Sequence, residues 1–295
     1  MKSPITLEAY GRGEGDLVVL DPDHPGFRDP VYRQRRNDIA AIALAYTSGR
    51  DVPEAPYTQA EHDVWAQIWE ALTPRHEQYV VAEIQEVQSS LRLNRQRIPQ
   101  LSDLNPVLRS HSNFQFEPVA GLVAARAFMM QLGRGVFLST QYIRHTSRPF
   151  YTPEPDVVHE LVGHAATLIH PGMAAVNRLM GTVARRASAS EMARIENVYW
   201  YTMEFGTALQ NGEVYAVGAG LLSSVAELEQ MRIKPQLLDW DLDRIARTPY
   251  DPTDLQPQLF VAPSFSKMLA DIEAWISEGC WRQSYMSSGS GTAST

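Results

Sequence analysis

Apolar residues recur at helical intervals through the first third of the chain. Between Tyr32 and Ser48 they fall at Ile39, Ile42, Ala43 and Tyr46, one stripe of a 3.6-residue repeat, and Gly49 stands where such a helix would stop. Thr58 and Glu61 have capping-box spacing and open a second helix through Trp65, Ile68, Trp69 and Leu72. Pro74 suits the start of a third helix, which carries Tyr79, Val80, Ile84 and Val87. Ser102 is placed to cap a short helix ending near Ser110, and Phe114 to Val119 reads as an extended link into a Gly121-Leu122-Val123 turn. Ala124 to Leu132 is helical again. After Gly133 and Gly135, the apolar run from Phe137 to Ile143 suits either a strand or a buried helix. Ser188 and Ser190 begin a long helix that carries Glu204, and Asn211-Gly212 marks a hairpin between Ala208-Leu209 and Val214-Tyr215. Pro252 to Pro257 is a loop, and Ser264 caps a last helix through Met268, Ile272 and Ile276. Residues 1–21 read as an N-terminal arm with a strand-like run at Leu17-Val18-Val19-Leu20, and residues 283–295 as a flexible tail. Between them the pattern predicts one mainly α domain with short β elements, residues 22–282.

Composition narrows the class. The 295 residues are 44% hydrophobic, enough for a sizeable core and too many for a disordered chain. A net charge of −8 argues against nucleic acid and anionic membranes as general partners and favours a small-molecule substrate. Cys280 is the only cysteine, which excludes intramolecular disulfides, thiolate zinc clusters and cysteine-ligated iron–sulfur centres. Met1 to Glu8 has no apolar signal core, and no apolar run approaches membrane-spanning length, so a soluble cytoplasmic protein is expected.

The candidate chemistry lies in Pro155-Asp156-Val157-Val158-His159-Glu160-Leu161-Val162-Gly163-His164 and in Glu204, forty residues later. In the zinc-protease signature the histidines stand four apart on one helical face, with a glutamate base between them. Here they stand five apart. At about 100° per residue an ideal helix would separate them by roughly 140°, so both reach one metal only if the segment is bent or a helix ends there. Gly163 can supply that irregularity; a helix whose two histidines meet solvent is the plainer alternative. Glu204 sits among tyrosine, tryptophan, methionine and phenylalanine, where burying a carboxylate is costly without a partner such as a metal. Two imidazoles and one distant carboxylate form a facial triad, the set that leaves positions open on ferrous iron for oxygen chemistry.

Several further segments occur in a familiar order. They are His24-Pro25-Gly26-Phe27-Arg28-Asp29-Pro30, Ile98-Pro99-Gln100-Leu101, Pro118-Val119-Ala120-Gly121-Leu122, Thr140-Gln141-Tyr142-Ile143-Arg144-His145, Tyr151-Thr152-Pro153-Glu154-Pro155-Asp156 and Gly218-Ala219-Gly220-Leu221-Leu222-Ser223-Ser224. With them the chain resembles the tetrahydropterin-dependent aromatic amino acid hydroxylases, most closely short bacterial phenylalanine hydroxylases, as far as about Trp275. The resemblance implies a mainly helical catalytic domain with iron in a deep cleft. Neither the regulatory domain nor the tetramerisation helix of animal members is matched, so regulation through a separate amino-acid-binding domain is not expected.

By that resemblance His159, His164 and Glu204 match the ligands of Fe(II). Arg144 matches the arginine that holds the substrate carboxylate, a task suited to a planar guanidinium fork. Thr152, Pro155, Trp200, Phe205, Gly220 and Ser223 match positions of the substrate pocket. Phe128 matches the ring that stacks on tetrahydrobiopterin, Gly121, Leu122, Val123 and Glu160 its hydrogen-bonding surroundings, and Tyr199 the mouth of the cleft. Some positions depart from the family pattern. Ala127 replaces an aspartate, Leu138 a histidine or glutamine beside the pterin, Glu196 a small residue near that cofactor, and Val217 an aromatic residue. Ala165-Ala166 also differs from the familiar pairs after the second histidine. Glu196 offers a carboxylate to the pterin amino group.

The resemblance thus implies ring hydroxylation of a free aromatic L-amino acid, phenylalanine first, using O2 and a tetrahydropterin. Phenylalanine meta-hydroxylation and tryptophan hydroxylation are alternatives within the family, and a zinc hydrolase with Glu160 as base or a non-catalytic binding module are alternatives outside it. Pterin-recycling enzymes and a monomer or weak dimer are the expected partners and assembly.

Overall fold

The computed structural model describes residues 15–252 and 254–282. The first helix, α1 (Pro30–Ala45), starts where Asp29 accepts hydrogen bonds from the amides of Val31 (2.9 Å) and Tyr32 (3.1 Å), with Pro30 pre-set in the first turn. It stops before Ser48 because Tyr46 turns extended; Gly49, the expected stop, belongs to a separate turn with φ +86°. The predicted strand at Leu17–Leu20 is irregular. Leu17 and Leu20 are nevertheless buried, and the Val18 amide donates to Asn37 Oδ1 at 3.0 Å.

Helix α2 (Gln59–Tyr79) has the Thr58/Glu61 capping box, but Pro74 neither ends it nor opens a new helix. The carbonyl that Pro74 leaves without an N–H belongs to exposed Glu70, where water can satisfy it, so the helix continues. The break comes instead at Val80–Val81, where the Val81 amide donates to Ala216 at 3.1 Å, before α3 (Ala82–Gln88). Helix α4 (Leu101–Ser112) is capped by Gln100 with Asp103, two residues ahead of the predicted Ser102.

Strand β1 (Gln115–Pro118) pairs in parallel with β2 (Val136–Ser139), joined by α5 (Ala125–Leu132). Of the ambiguous 137–143 run, therefore, only the opening is strand; residues 140–143 leave the pairing and carry Thr140 and Arg144 towards the interior. Helix α6 (Pro171–Ala184) crosses α5 at Gly133 and Gly181, where a Cβ on Gly181 would lie 2.2 Å from the Gly133 amide nitrogen. A second sheet has the order β4-β3-β6-β5, from β3 (Thr207–Gln210), β4 (Glu213–Ala216), β5 (Gln236–Asp239) and β6 (Gln258–Ala262). Its β3–β4 hairpin turns at Asn211-Gly212, both with positive φ (54° and 82°), as the dipeptide predicts. Helix α10 (Phe265–Ser277), capped by Ser264, closes the core. The described residues of the expected loop, 252 and 254–257, lie outside helix and strand before β6, whereas the predicted tail lies outside the described residues. No helix among the described residues is long and apolar enough to cross a membrane.

The chemistry-bearing segments run through the centre of this core. Val157, Val158, Leu161, Val162, Ala165 and Ala166 are all fully buried. The histidines between them are consequently fixed by packing, not by loop geometry.

Candidate active site

The backbone resolves the five-residue spacing. His159–Ala165 is a π-helix, π1, in which hydrogen bonds reach five residues along the chain, so His159 and His164 stand over one another on one face. Glu204 closes a second π turn, π2 (Trp200–Glu204), which extends α7 (Ala189–Tyr199); the Phe205 amide donates to Trp200 at 2.8 Å. The expected long helix to Glu204 thus changes pitch in its last turn. Between π1 and π2 lies α8 (Ala219–Leu222), entered through Gly218. A Cβ on Gly163 would fall 2.5 Å from the Ala219 oxygen, and one on Gly218 would fall 2.2 Å from the Glu204 oxygen. Glycine lets three backbones meet here, and their meeting sets the ligand positions.

His159 Nε2 and His164 Nε2 lie 2.9 Å apart, and Glu204 oxygens lie 3.4 Å from His159 Nε2 and 3.1 Å from His164 Nε2. An ion bound at about 2.1 Å through three mutually perpendicular positions holds its donors about 3.0 Å apart, so the spacing fits one divalent cation. The tautomers fit as well. Ser223 Oγ donates to the Ala219 carbonyl at 2.8 Å and accepts from His159 Nδ1 at 3.0 Å, which places the lone pair of His159 on Nε2, facing the cluster. Burial, reinforced by the charge of His164, pulls His159 down to about 4, so it is neutral at pH 7. For His164, burial pulls downward but the Glu204 carboxylate outweighs it; for Glu204, burial pushes upward but the two histidines outweigh it. Glu160 points the other way: burial raises it to about 7, although Thr140 donates to it from both its amide (3.2 Å) and its hydroxyl (3.0 Å).

These groups open on a cavity of about 220 Å³. Gly121, Leu122, Val123, Phe128, Glu160, Tyr199, Pro155 and Trp200 line it together with the two histidines and Glu204. Phe128 is braced edge-on by Phe137 (5.2 Å) and Tyr199 (6.0 Å), and the Tyr199 hydroxyl is buried without a hydrogen-bond partner. Arg144, Thr152, Phe205, Gly220 and Ser223 do not line this cavity. Ser223 and Gly220 support the His159 and Glu204 segments from α8, and a Cβ on Gly220 would meet the Phe205 ring at 2.7 Å. Thr152 donates to the Glu154 carbonyl at 2.6 Å. Of the departures noted above, Leu138 and Glu196 line the cavity, while Ala127 and Val217 do not.

Arg144 is buried, and its fork is already engaged. Nε and Nη2 donate to Asp156 at 2.8 and 2.7 Å, while Nη1 has only a 3.5 Å contact with the Pro149 carbonyl. Arg144 overcomes the effect of burial and holds the Asp156 carboxyl below its ordinary value. Sequence reasoning had no role for Asp156, although a buried arginine needs a carboxylate and one stands twelve residues on. It also missed Thr140, and Tyr250, which stacks on Trp200 at 4.1 Å and 10°. No periodic or spacing signal marks Tyr250. A wider cleft of about 1060 Å³, between the Glu54–Tyr57 segment and α4, contains none of the three clustered ligands.

Known proteins are similar to this chain in sequence and in fold. Residues 16–286 match the sequence profile of the biopterin-dependent aromatic amino acid hydroxylases. Protein henna of Drosophila melanogaster is 42% identical over 251 residues, covering 83% of this chain and 56% of that protein. Phenylalanine-4-hydroxylase of Rattus norvegicus is 38% identical over 272 residues, covering 89% and 60%. Tyrosine 3-monooxygenase of Mus musculus is 41% identical over 252 residues, covering 84% and 51%. The chain therefore spans between about half and three-fifths of the length of these relatives. Among solved structures, a variant of Chromobacterium violaceum phenylalanine hydroxylase superposes with a TM-score of 0.74 at 26% identity, covering 86% of this chain and 89% of that one. The same enzyme with iron(III) and 7,8-dihydrobiopterin bound gives 0.74 at 25%, covering 89% and 93%. On the match of profile, relatives and fold, the chain belongs to the biopterin-dependent aromatic amino acid hydroxylase family.

Proposed function

We propose that this chain hydroxylates the ring of a free aromatic L-amino acid, phenylalanine foremost, using O2, a tetrahydropterin and Fe(II) held by His159, His164 and Glu204. The supporting observation is the pair of π turns, which brings two imidazole nitrogens and one carboxylate to within ligand spacing beside a cavity. An iron–pterin pair supplies the activation of O2 and the two electrons for the oxygen atom that does not enter the ring. The chain's own residues hold, orient and shield. Ser223 keeps His159 in the tautomer that presents Nε2, and Glu204 stays ionised against the histidines. The open face of Phe128 stacks the flat cofactor, with the Gly121-Leu122-Val123 loop, Tyr199 and Glu160 around it; Glu160, near 7, holds or releases a proton at the cavity wall. Arg144, with Nη1 as its least committed nitrogen, receives the substrate carboxylate, and Asp156 fixes its plane. Pro155, Trp200 and the Tyr250 ring behind it set the side-chain ring, with Thr152, Phe205, Gly220 and Ser223 as its supporting surround.

Phenylalanine is favoured by the bacterial structural neighbours, while the curated relatives include both phenylalanine and tyrosine hydroxylases. Incubating the iron-loaded protein with phenylalanine, tyrosine or tryptophan, with and without tetrahydrobiopterin, and identifying products by mass spectrometry and NMR tests the reading and determines the ring position. A hydroxylated amino acid formed only with pterin and O2 is expected. Turnover without pterin, or hydrolysis without O2, would overturn it.

A further inference from the structure

One part of the cavity wall is held from behind by a single side chain. Gln256 lies just before β6, is only 4% exposed, and spends its whole amide on three partners. Oε1 accepts from Trp200 Nε1 at 2.8 Å, and Nε2 donates to the carbonyls of Asp251 and Asp254, each at 3.1 Å. The partners dictate which way the amide faces: an indole N–H only donates and a carbonyl only accepts, so the oxygen meets the ring and the nitrogen meets the loop. The Gln256 main-chain amide donates in turn to Glu227 Oε1 at 3.0 Å, which anchors the residue in the core.

Trp200 and Tyr250 both line the cavity beside His159, His164 and Glu204, and their rings stack at 4.1 Å and 10°. Phe205 meets the same indole at 4.7 Å and 39°. Ring contacts of this kind set the plane of an indole but tolerate sliding and turning within that plane. The one polar atom of the ring, Nε1, removes that remaining freedom, and its acceptor is Gln256. Because the same amide holds the carbonyls of Asp251 and Asp254, it also fixes the segment that carries Tyr250 against the ring that Tyr250 covers.

Resting on the proposed function, we infer that Gln256 is a positioning residue: acting through Trp200, it fixes the surface against which the substrate ring lies, and so decides which ring carbon faces the metal site. A misplacement of about 1 Å can cost on the order of 10²-fold in rate, so a small turn of the indole reaches the chemistry. The carboxylate end of the substrate is held elsewhere, at Arg144. Loss of the Gln256 contact therefore acts on ring position and turnover and leaves affinity in place.

The test uses the iron-loaded protein with tetrahydrobiopterin, O2 and the amino acid it hydroxylates. Gln256→Met keeps the length of the side chain without its amide. In a second protein Trp200 is replaced by 3-benzothienylalanine, in which sulfur stands in place of the indole N–H, so the ring keeps its shape and only the bond to Gln256 is lost. In both, kcat should fall about three- to tenfold, the scale of one net hydrogen bond, and the minor positional isomers of the product should rise by a similar factor. Amino acid affinity, read by calorimetry, should stay within about twofold, and iron content should not change. The two changes combined should do no more than Gln256→Met alone, since both remove the same bond. Unchanged ring position in the benzothienyl protein overturns the inference even if Gln256→Met does not fold. A loss confined to iron content or amino acid affinity also overturns it, because that marks a merely structural role; the proposed function stands in either case. If the unmodified protein hydroxylates no aromatic amino acid, both fall.

Discussion

His159, His164 and Glu204 are informative only because of what each touches. Replacing either histidine with alanine removes one of the two imidazole donors 2.9 Å apart, and stoichiometric iron should be lost; metal analysis of the purified variants checks this. Ser223→Ala leaves all three ligands but removes the acceptor that fixes the His159 tautomer. Iron affinity should then fall about 10- to 100-fold without abolition of binding, as measured by metal titration. Asp156 is the residue whose removal should cost most in stability. It is fully buried and neutralises buried Arg144, so Asp156→Ala should destabilise the fold by about 3–5 kcal/mol in denaturant unfolding. The Asp156 carboxyl is held below its ordinary value, so the folded state binds fewer protons than the unfolded one. The contribution of the pair is therefore present at neutral pH and is lost only as pH falls through the lowered value.

At the level of elements, the two π turns make the site, and glycine makes the π turns compatible with α8. A methyl group on Gly163 has no room beside the Ala219 oxygen, 2.5 Å from where it would sit, and backbone cannot rotate away as a side chain can. Gly163→Ala should thus cost about 1–3 kcal/mol and weaken iron retention together, since α8 carries Ser223 against His159. Thermal denaturation with parallel metal titration checks it, and an unchanged melting temperature would contradict the packing argument. The five-residue histidine spacing announced an irregular helix, and the pitch change is its physical form. Pro74 misled in the opposite sense. Its local signal for a helix start is real, but an exposed i−4 carbonyl and the tertiary packing of Trp69 and Leu72 on one side let α2 run through it.

Across the whole molecule, a buried carboxyl far along the chain reports on the same core. Glu227 on α9 (Val225–Gln230) accepts from the Gln256 amide at 3.0 Å, and Gln256 Oε1 accepts from Trp200 Nε1 at 2.8 Å, which links this group to the cavity wall. Burial pushes Glu227 up to about 7. The folded state therefore binds more protons than the unfolded one, and stability should be greatest below about pH 4.5 in this contribution and fall as pH rises through 7, by about 3 kcal/mol in all. Glu227→Gln should flatten the stability profile between pH 5 and 8, measured by denaturant midpoints. Read alone, the sequence determined the mainly helical class, the capping box at Thr58, the Asn211-Gly212 hairpin and the residues that cluster as a facial triad, because each is written in local chemistry or spacing. Tertiary structure alone decided where α1 and α2 end, the parallel pairing of β1 with β2, the Arg144–Asp156 pair and the stacking of Tyr250 on Trp200. Those outcomes depend on which distant group supplies a hydrogen bond, a counter-charge or a flat surface, and no pattern confined to neighbouring residues encodes that partner.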